Sequence, residues 1–274
     1  MKKILLACDG KHFSEGAFEF IRQVNASSPV LVTGVFLAEA SYGSLWSYAN
    51  GITGPLFVPI VEQEYAEGIS ASIARFEHLC IANGMDFRTH KDDYDFALSE
   101  LKTETRFADL LVIGGQCFYK DLKGAPNDYL LDVMHHAECP VLIVPEQFQS
   151  PQSIILAYDG TRDSVYSIRQ FAYLFPEWKD KPTTLLYANE QFLEEDIPAQ
   201  TQMEEWASRH FNDLTIEHLG VDPEKFFTVW VENEPGALLV TGSYGRSGLS
   251  QLFHKSYVRE IIQDHWVPVF IAHR

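Results

Sequence analysis

The chain has 274 residues, 46% of them hydrophobic and 22% charged, with 38 Asp and Glu against 21 Lys and Arg and a formal net charge of −17. At roughly 100–200 residues per domain this length suggests two domains, and it is ample for a core that needs no disulfide or metal staple. The charge is −9 over residues 1–150 (11 basic, 20 acidic) and −8 over 151–274 (10 basic, 18 acidic), and acidity on both halves repels nucleic-acid phosphates and anionic lipid, so neither is expected as a partner.

The first apolar run, Ile4-Leu5-Leu6-Ala7-Cys8, follows two lysines as a signal peptide would. It stops at Asp9, too short for an h-region and without a small-residue cleavage site. No stretch approaches the roughly 18–20 apolar residues of a membrane span. The four cysteines, Cys8, Cys80, Cys117 and Cys139, form no Cys-x-x-Cys pair. Reduced, mostly buried thiols in a soluble cytoplasmic protein are the expectation.

In chain order, strands are expected near 3–8, 30–37, 86–90, 109–114 and 140–144. Helical stretches near 12–26, 59–83, 95–105 and 126–136 separate them. A second series follows, with strands near 153–158, 183–188, 214–219, 237–242 and 267–272 and helices near 162–175, 198–212, 223–233 and 254–265. Near-continuous Val, Ile and Leu runs mean strands buried on both faces, as in a parallel sheet covered by helices. Right-handed crossovers then give two tandem, doubly wound, five-stranded α/β sandwich domains of Rossmann-like type. Residues 145–151, polar and with proline at both ends, mark the boundary, giving domains 1–146 and 151–274.

The two series are copies. Lys3-Ile4-Leu5-Leu6-Ala7-Cys8-Asp9-Gly10 matches Ser153-Ile154-Ile155-Leu156-Ala157-Tyr158-Asp159-Gly160. Ala108-Asp109-Leu110-Leu111-Val112-Ile113-Gly114 matches Gly236-Ala237-Leu238-Leu239-Val240-Thr241-Gly242, and Cys139-Pro140-Val141-Leu142-Ile143 matches Val267-Pro268-Val269-Phe270-Ile271. The spacing from Gly114 to Pro140 equals that from Gly242 to Pro268. In a doubly wound sheet ligands bind beyond the carboxyl ends of the strands, where both Asp-Gly pairs fall. There too lies Gly242-Ser243-Tyr244-Gly245-Arg246-Ser247-Gly248-Leu249, with Lys255-Ser256 where the next helix should begin. Glycines let the backbone approach a ligand, and a helix start presents amides to phosphate. Together these residues describe a nucleotide pocket, with Asp159 for the base or ribose and the loop amides for the phosphates. Taken singly, each feature is also an ordinary turn.

With those residues in place, the chain resembles a tandem universal stress protein along nearly its whole length. Most specific is Gly-Ser-Tyr-Gly-Arg-Ser-Gly-Leu-Ser at 242–250. Members of that family that bind ATP carry Gly, two residues, Gly, nine residues, Gly, then Ser or Thr. Gly242, Gly245 and Ser256 fall on this pattern, and Lys255 replaces the third glycine. The lysine either clashes with phosphate held by the backbone or swings over the triphosphate and neutralises it. The resemblance implies that Asp159 contacts the adenosine side, while Gly242, Gly245, Arg246, Ser256 and the Tyr257 amide hold phosphates of ATP, ADP or AMP. Lys255 is a candidate beside them in its neutralising role, and Mg²⁺ bridging the phosphates is the accompanying expectation. In the first copy Gly114 survives, but Cys117, Asn127 and Asp128 replace the second glycine, the third and the Ser/Thr. A carboxylate at Asp128 opposes phosphate, which marks that copy as degenerate although Asp9 is kept.

The expected function is a stress-response or signalling module binding an adenine nucleotide in the second domain, with at most slow hydrolysis, because no strong general base is positioned by the sequence. A scaffold that binds no nucleotide and works through protein contacts is the alternative. An adenylating enzyme would need a Ser-Gly-Gly-x-Asp-Ser loop where this chain reads Asp159-Gly160-Thr161-Arg162-Asp163-Ser164. Dimerisation is expected either between chains or within the chain as a pseudo-dimer. The aromatic and glycine-rich segment 42–57 reads as a lid or contact surface, or as a loop over its own sheet edge.

Overall fold

The computed structural model of the protein describes residues 1–9, 12–37, 59–90, 98–115, 137–187, 198–218, 234, 236–242 and 267–272. Within them the chain runs β1 (Lys2–Asp9), α1 (Glu15–Ser27), β2 (Val30–Leu37), α2 (Pro59–Ala82), β3 (Asp86–His90), α3 (Leu98–Thr105), β4 (Leu110–Gly114) and β5 (Val141–Val144). It continues with β6 (Ser153–Tyr158), α4 (Arg162–Leu174), a short 3₁₀ turn at Pro176–Trp178, β7 (Thr183–Tyr187), α5 (Gln200–His210), β8 (Leu214–His218), β9 (Ala237–Gly242) and β10 (Val269–Ala272). The expected helices near 126–136, 223–233 and 254–265, and the segment 42–57, lie outside the described residues, as does Cys117.

All ten strands join one sheet in the order β3-β2-β1-β4-β5-β10-β9-β6-β7-β8. Each half repeats the order 3-2-1-4-5, with its own strands parallel. The two halves meet where β5 and β10 pair antiparallel, Ile143 opposite Val269 and Val141 opposite Ile271. This α/β architecture is the one the strand and helix alternation predicts, with one addition: the two five-stranded sheets are a single sheet of ten.

The sequence dictates the layers. β4, β5 and β10 are buried at every residue, as runs of Val, Ile and Leu require when helices cover both faces. Alternate strand residues such as Ile4, Leu6, Val112, Leu142, Leu156, Leu238 and Phe270 share one face. They form a continuous core with Phe20, Ile21 and Val24 of α1, Phe76 and Cys80 of α2, Ile168 and Phe171 of α4, and Met203 and Ala207 of α5. The connection from β3 back across β2 and β1 to β4 must lie on the opposite face to remain right-handed, which places α3 there. Helix starts are set by caps: Ser14 Oγ accepts the Ala17 N–H at α1, and Thr161 Oγ1 accepts the Ser164 N–H at α4.

Residues 145–151 read as a polar linker, yet they form a packed strap. Glu146 closes the start of α1, accepting from the Ser14 hydroxyl at 2.7 Å and the Glu15 N–H at 2.9 Å. Phe148 meets Phe20 edge-on at 5.6 Å. Phe20 also reaches across to Phe175 (6.0 Å) and Trp178 (6.2 Å), which stack on each other at 4.7 Å. Lys2 Nζ adds a 3.4 Å ion pair to Glu177 and lies over the Phe175 ring. Aromatic burial therefore continues from one half into the other.

Candidate functional site

In the second half β6 lies between β9 and β7. The chain leaves β6 toward β7 on one side and reaches β9 and β10 on the other, so the strand order reverses between β6 and β9. That is the position at which α/β sheets open a crevice beyond their strand ends. Asp159, Gly160 and Thr161 leave β6 there. Gly160 has φ +80, a backbone state that costs glycine little and other residues more.

Asp159 is fixed by its neighbour. Its Oδ1 accepts both the Thr161 N–H (2.9 Å) and the Thr161 hydroxyl (2.6 Å). Thr161 in turn caps α4 at Ser164 N, and the Ser164 hydroxyl donates to the Thr161 carbonyl at 2.9 Å. Among the described residues Oδ2 of Asp159 makes no hydrogen bond, so this oxygen is left to accept from a ligand hydroxyl or amine. Gly242, the last residue of β9, presses on the same helix turn. A Cβ there would stand 2.7 Å from Ser164 N and 2.9 Å from the Asp163 carbonyl carbon. The structure thus brings Asp159 and Gly242 to the two sides of the first turn of α4. Gly245, Arg246, Lys255, Ser256 and Tyr257 lie outside the described residues.

Two tyrosines that the sequence reading passed over complete the corner. Tyr158 and Tyr187 end β6 and β7, are fully buried, and meet edge-on at 5.4 Å. The Tyr158 hydroxyl donates to the Pro198 carbonyl at 2.7 Å, and that of Tyr187 to Glu204 Oε1 at 3.3 Å. Burial raises both phenols above the ordinary range, with Asp159 adding to the effect at Tyr158 and Glu204 at Tyr187, so both remain hydrogen-bond donors. The one available signal was Tyr158 itself, a hydroxyl-bearing ring in the strand-end position that Cys8 fills in the first half.

In the first half Asp9 ends β1 and Gly114 ends β4, while Asn127 and Asp128 are outside the described residues. The start of α1 already holds the Glu146 carboxylate. Because β5 and β10 run antiparallel, the strand ends of the two halves open on opposite rims of the sheet. Among the described residues no group of three or more His, Cys, Asp or Glu is placed to hold a metal ion, and no helix is long and apolar enough to cross a membrane.

No protein-family model and no curated protein matches the chain. Solved structures do. The crystal structure of a universal stress protein from Archaeoglobus fulgidus DSM 4304 superposes with a TM-score of 0.68 at 16% identity, covering 100% of this chain and 96% of that one. A functionally unknown protein from Pseudomonas aeruginosa PAO1 gives a TM-score of 0.56 at 14% identity, covering 100% and 92%. At these identities the likeness is one of fold: the chain has the α/β fold of a universal stress protein structure.

Proposed function

We propose that the chain is a tandem universal stress protein, built of domains 1–146 and 151–274, that holds an adenine nucleotide in its second half and works as a stress-response or signalling module. The observation that carries this reading is the meeting of Asp159 and Gly242 across the first turn of α4, at the reversal of strand order. In this reading Oδ2 of Asp159 accepts from the ribose or base. The loop from Gly242 through Gly245 and Arg246, with Ser256 and the Tyr257 amide, takes the phosphates of ATP, ADP or AMP, Mg²⁺ bridges them, and Lys255 either neutralises or blocks them. With no strong general base in the constellation, turnover is at most slow, and bound nucleotide acts by shifting the population of loop conformations. The repeated strand order and the β5–β10 junction support an intramolecular pseudo-dimer. Buried Cys80 and Cys139, their thiols pushed up to about 12 mainly by burial, suit a reducing cytoplasm.

The test is to purify the protein without added nucleotide, denature it, and identify what is released by chromatography and mass. About one ATP or ADP per chain is expected. A protein that is empty and also ignores added ATP overturns this reading and favours the scaffold, which the carboxylate already seated at the start of α1 supports for the first half. Lys255→Gly then tells the two roles of that lysine apart: a tenfold or larger gain in affinity means that it blocks the phosphates, and a loss means that it serves them.

A further inference from the structure

Pro198 and Ala199, which lead into α5, lie on the corner around which the proposed site is built. The Pro198 ring covers Gly160, with its Cβ, Cγ and Cδ each 3.1 Å from the point where a Gly160 Cβ would stand. The carbonyl of the same proline accepts the Tyr158 hydroxyl at 2.7 Å. Tyr158 has no freedom to turn away, since its ring is fully buried and packed edge-on against Tyr187.

Ala199 is the only non-glycine residue with positive φ among the described residues, at φ 54 and ψ 30. For a residue with a Cβ this left-handed state is unfavourable, and it persists only where the surroundings hold it. Two contacts do so. The Tyr158 hydroxyl holds the Pro198 carbonyl on one side, and on the other the Ala199 carbonyl accepts the Met203 N–H at 3.0 Å. Ala199 sits at the N-cap of α5 but supplies no side-chain cap. The first turn of α5 is tied down instead through Glu204, whose Oε1 accepts from Gln200 Nε2 (2.7 Å) and from Tyr187.

We infer that Pro198–Ala199 is a strained latch closed over the Asp159–Gly160 corner, with the Tyr158 hydroxyl as its catch. When the hydroxyl releases the carbonyl, Ala199 relaxes out of the left-handed state and the proline ring lifts from Gly160. A ligand ring approaching Asp159 from this side meets the latch first, so its opening sets the rate of entry. That last step rests on the nucleotide reading above, whereas the latch itself does not.

Tyr158→Phe removes the catch and keeps the ring and its contact with Tyr187. Native-state hydrogen exchange on the full chain, without ligand, compares the Met203 amide beside the latch with the Phe211 amide, which bonds to the Ala207 carbonyl at the far end of the same helix. Loss of one neutral hydrogen bond predicts roughly fivefold faster exchange at Met203, with Phe211 unchanged. No change at Met203, or an equal rise at both amides, overturns the latch. Stopped-flow mixing with ATP then reads the gate: the association rate constant rises about as much as the exchange. ATP bound at an unchanged rate overturns gating, and ATP bound by neither protein defeats the nucleotide reading while the exchange result still decides the latch.

Discussion

Gly242→Ala probes the closest approach in the candidate site. The added methyl would stand 2.7 Å from Ser164 N, 2.9 Å from the Asp163 carbonyl carbon and 3.0 Å from Ser164 Cα. All three are backbone atoms, so no side chain can rotate away. With comfortable contact near ~3.5 Å, β9 and the first turn of α4 must separate by roughly 0.8 Å. Overpacking of this kind costs about 1–3 kcal/mol, and the absence of any side-chain escape places Gly242 at about 2–3. Gly84→Ala is the matched control. It has φ +61 and open space around its Cβ, so it carries only the left-handed cost of about 1–2 kcal/mol, partly offset by about 0.4–1 from the stiffer unfolded chain. Urea unfolding followed by circular dichroism compares the two. A Gly242→Ala loss no larger than that of Gly84→Ala would refute the close-packing argument. Because the same shift moves the Asp159 corner relative to the strand end, ATP affinity should fall in Gly242→Ala and hold in Gly84→Ala.

The buried thiols give a pH dependence with a defined sign. Cys80 and Cys139 titrate near 12 in the folded chain, mainly through burial, and near 8.5 when unfolded. Their contribution to stability is therefore complete below about pH 8.5 and is lost as pH rises toward 12. Native protein at pH 8 should leave both unalkylated by iodoacetamide, and the Cys80→Ala/Cys139→Ala variant should lose less stability than the parent between pH 8 and 10. Glu146→Gln removes the charge from the start of α1 while keeping the side chain's shape. About 1 kcal/mol should be lost in urea, and no loss would mean that the carboxylate contributes nothing as a cap.

The inner strands were legible because their residues are apolar on both faces, whereas the edge strands β3 and β8 mix apolar with polar and charged residues and are largely unburied. Helix starts were less so: α1 was expected from residue 12 and begins at Glu15, because the cap is Ser14. Asp159 and Gly242 stood out because the chain states the same corner twice. The contacts that finish that corner did not. Tyr158 and Pro198 are 40 residues apart, and nothing in local periodicity links a strand-end tyrosine to a proline that follows Asp196-Ile197. Phe148 likewise hides among polar residues, since only the folded strap shows that its ring meets Phe20.

The antiparallel β5–β10 pair was illegible for a related reason: Val141–Val144 and Val269–Ala272 read alike, and no spacing tells that each is the other's partner. Their pairing predicts that each half needs the other. Both strands are buried at every residue, and neither carries a charge or proline within its span that would blunt an open edge. Residues 1–146 alone would bare β5 together with Phe20, which is fully buried in the whole chain against Phe175 and Trp178. Such an edge recruits a second copy of itself, and a two-fold antiparallel β5–β5 pair reproduces the junction geometry. Size-exclusion chromatography with light scattering should therefore find residues 1–146 as a dimer or as aggregate. A monodisperse monomer retaining cooperative thermal unfolding would show that the halves do not depend on one another.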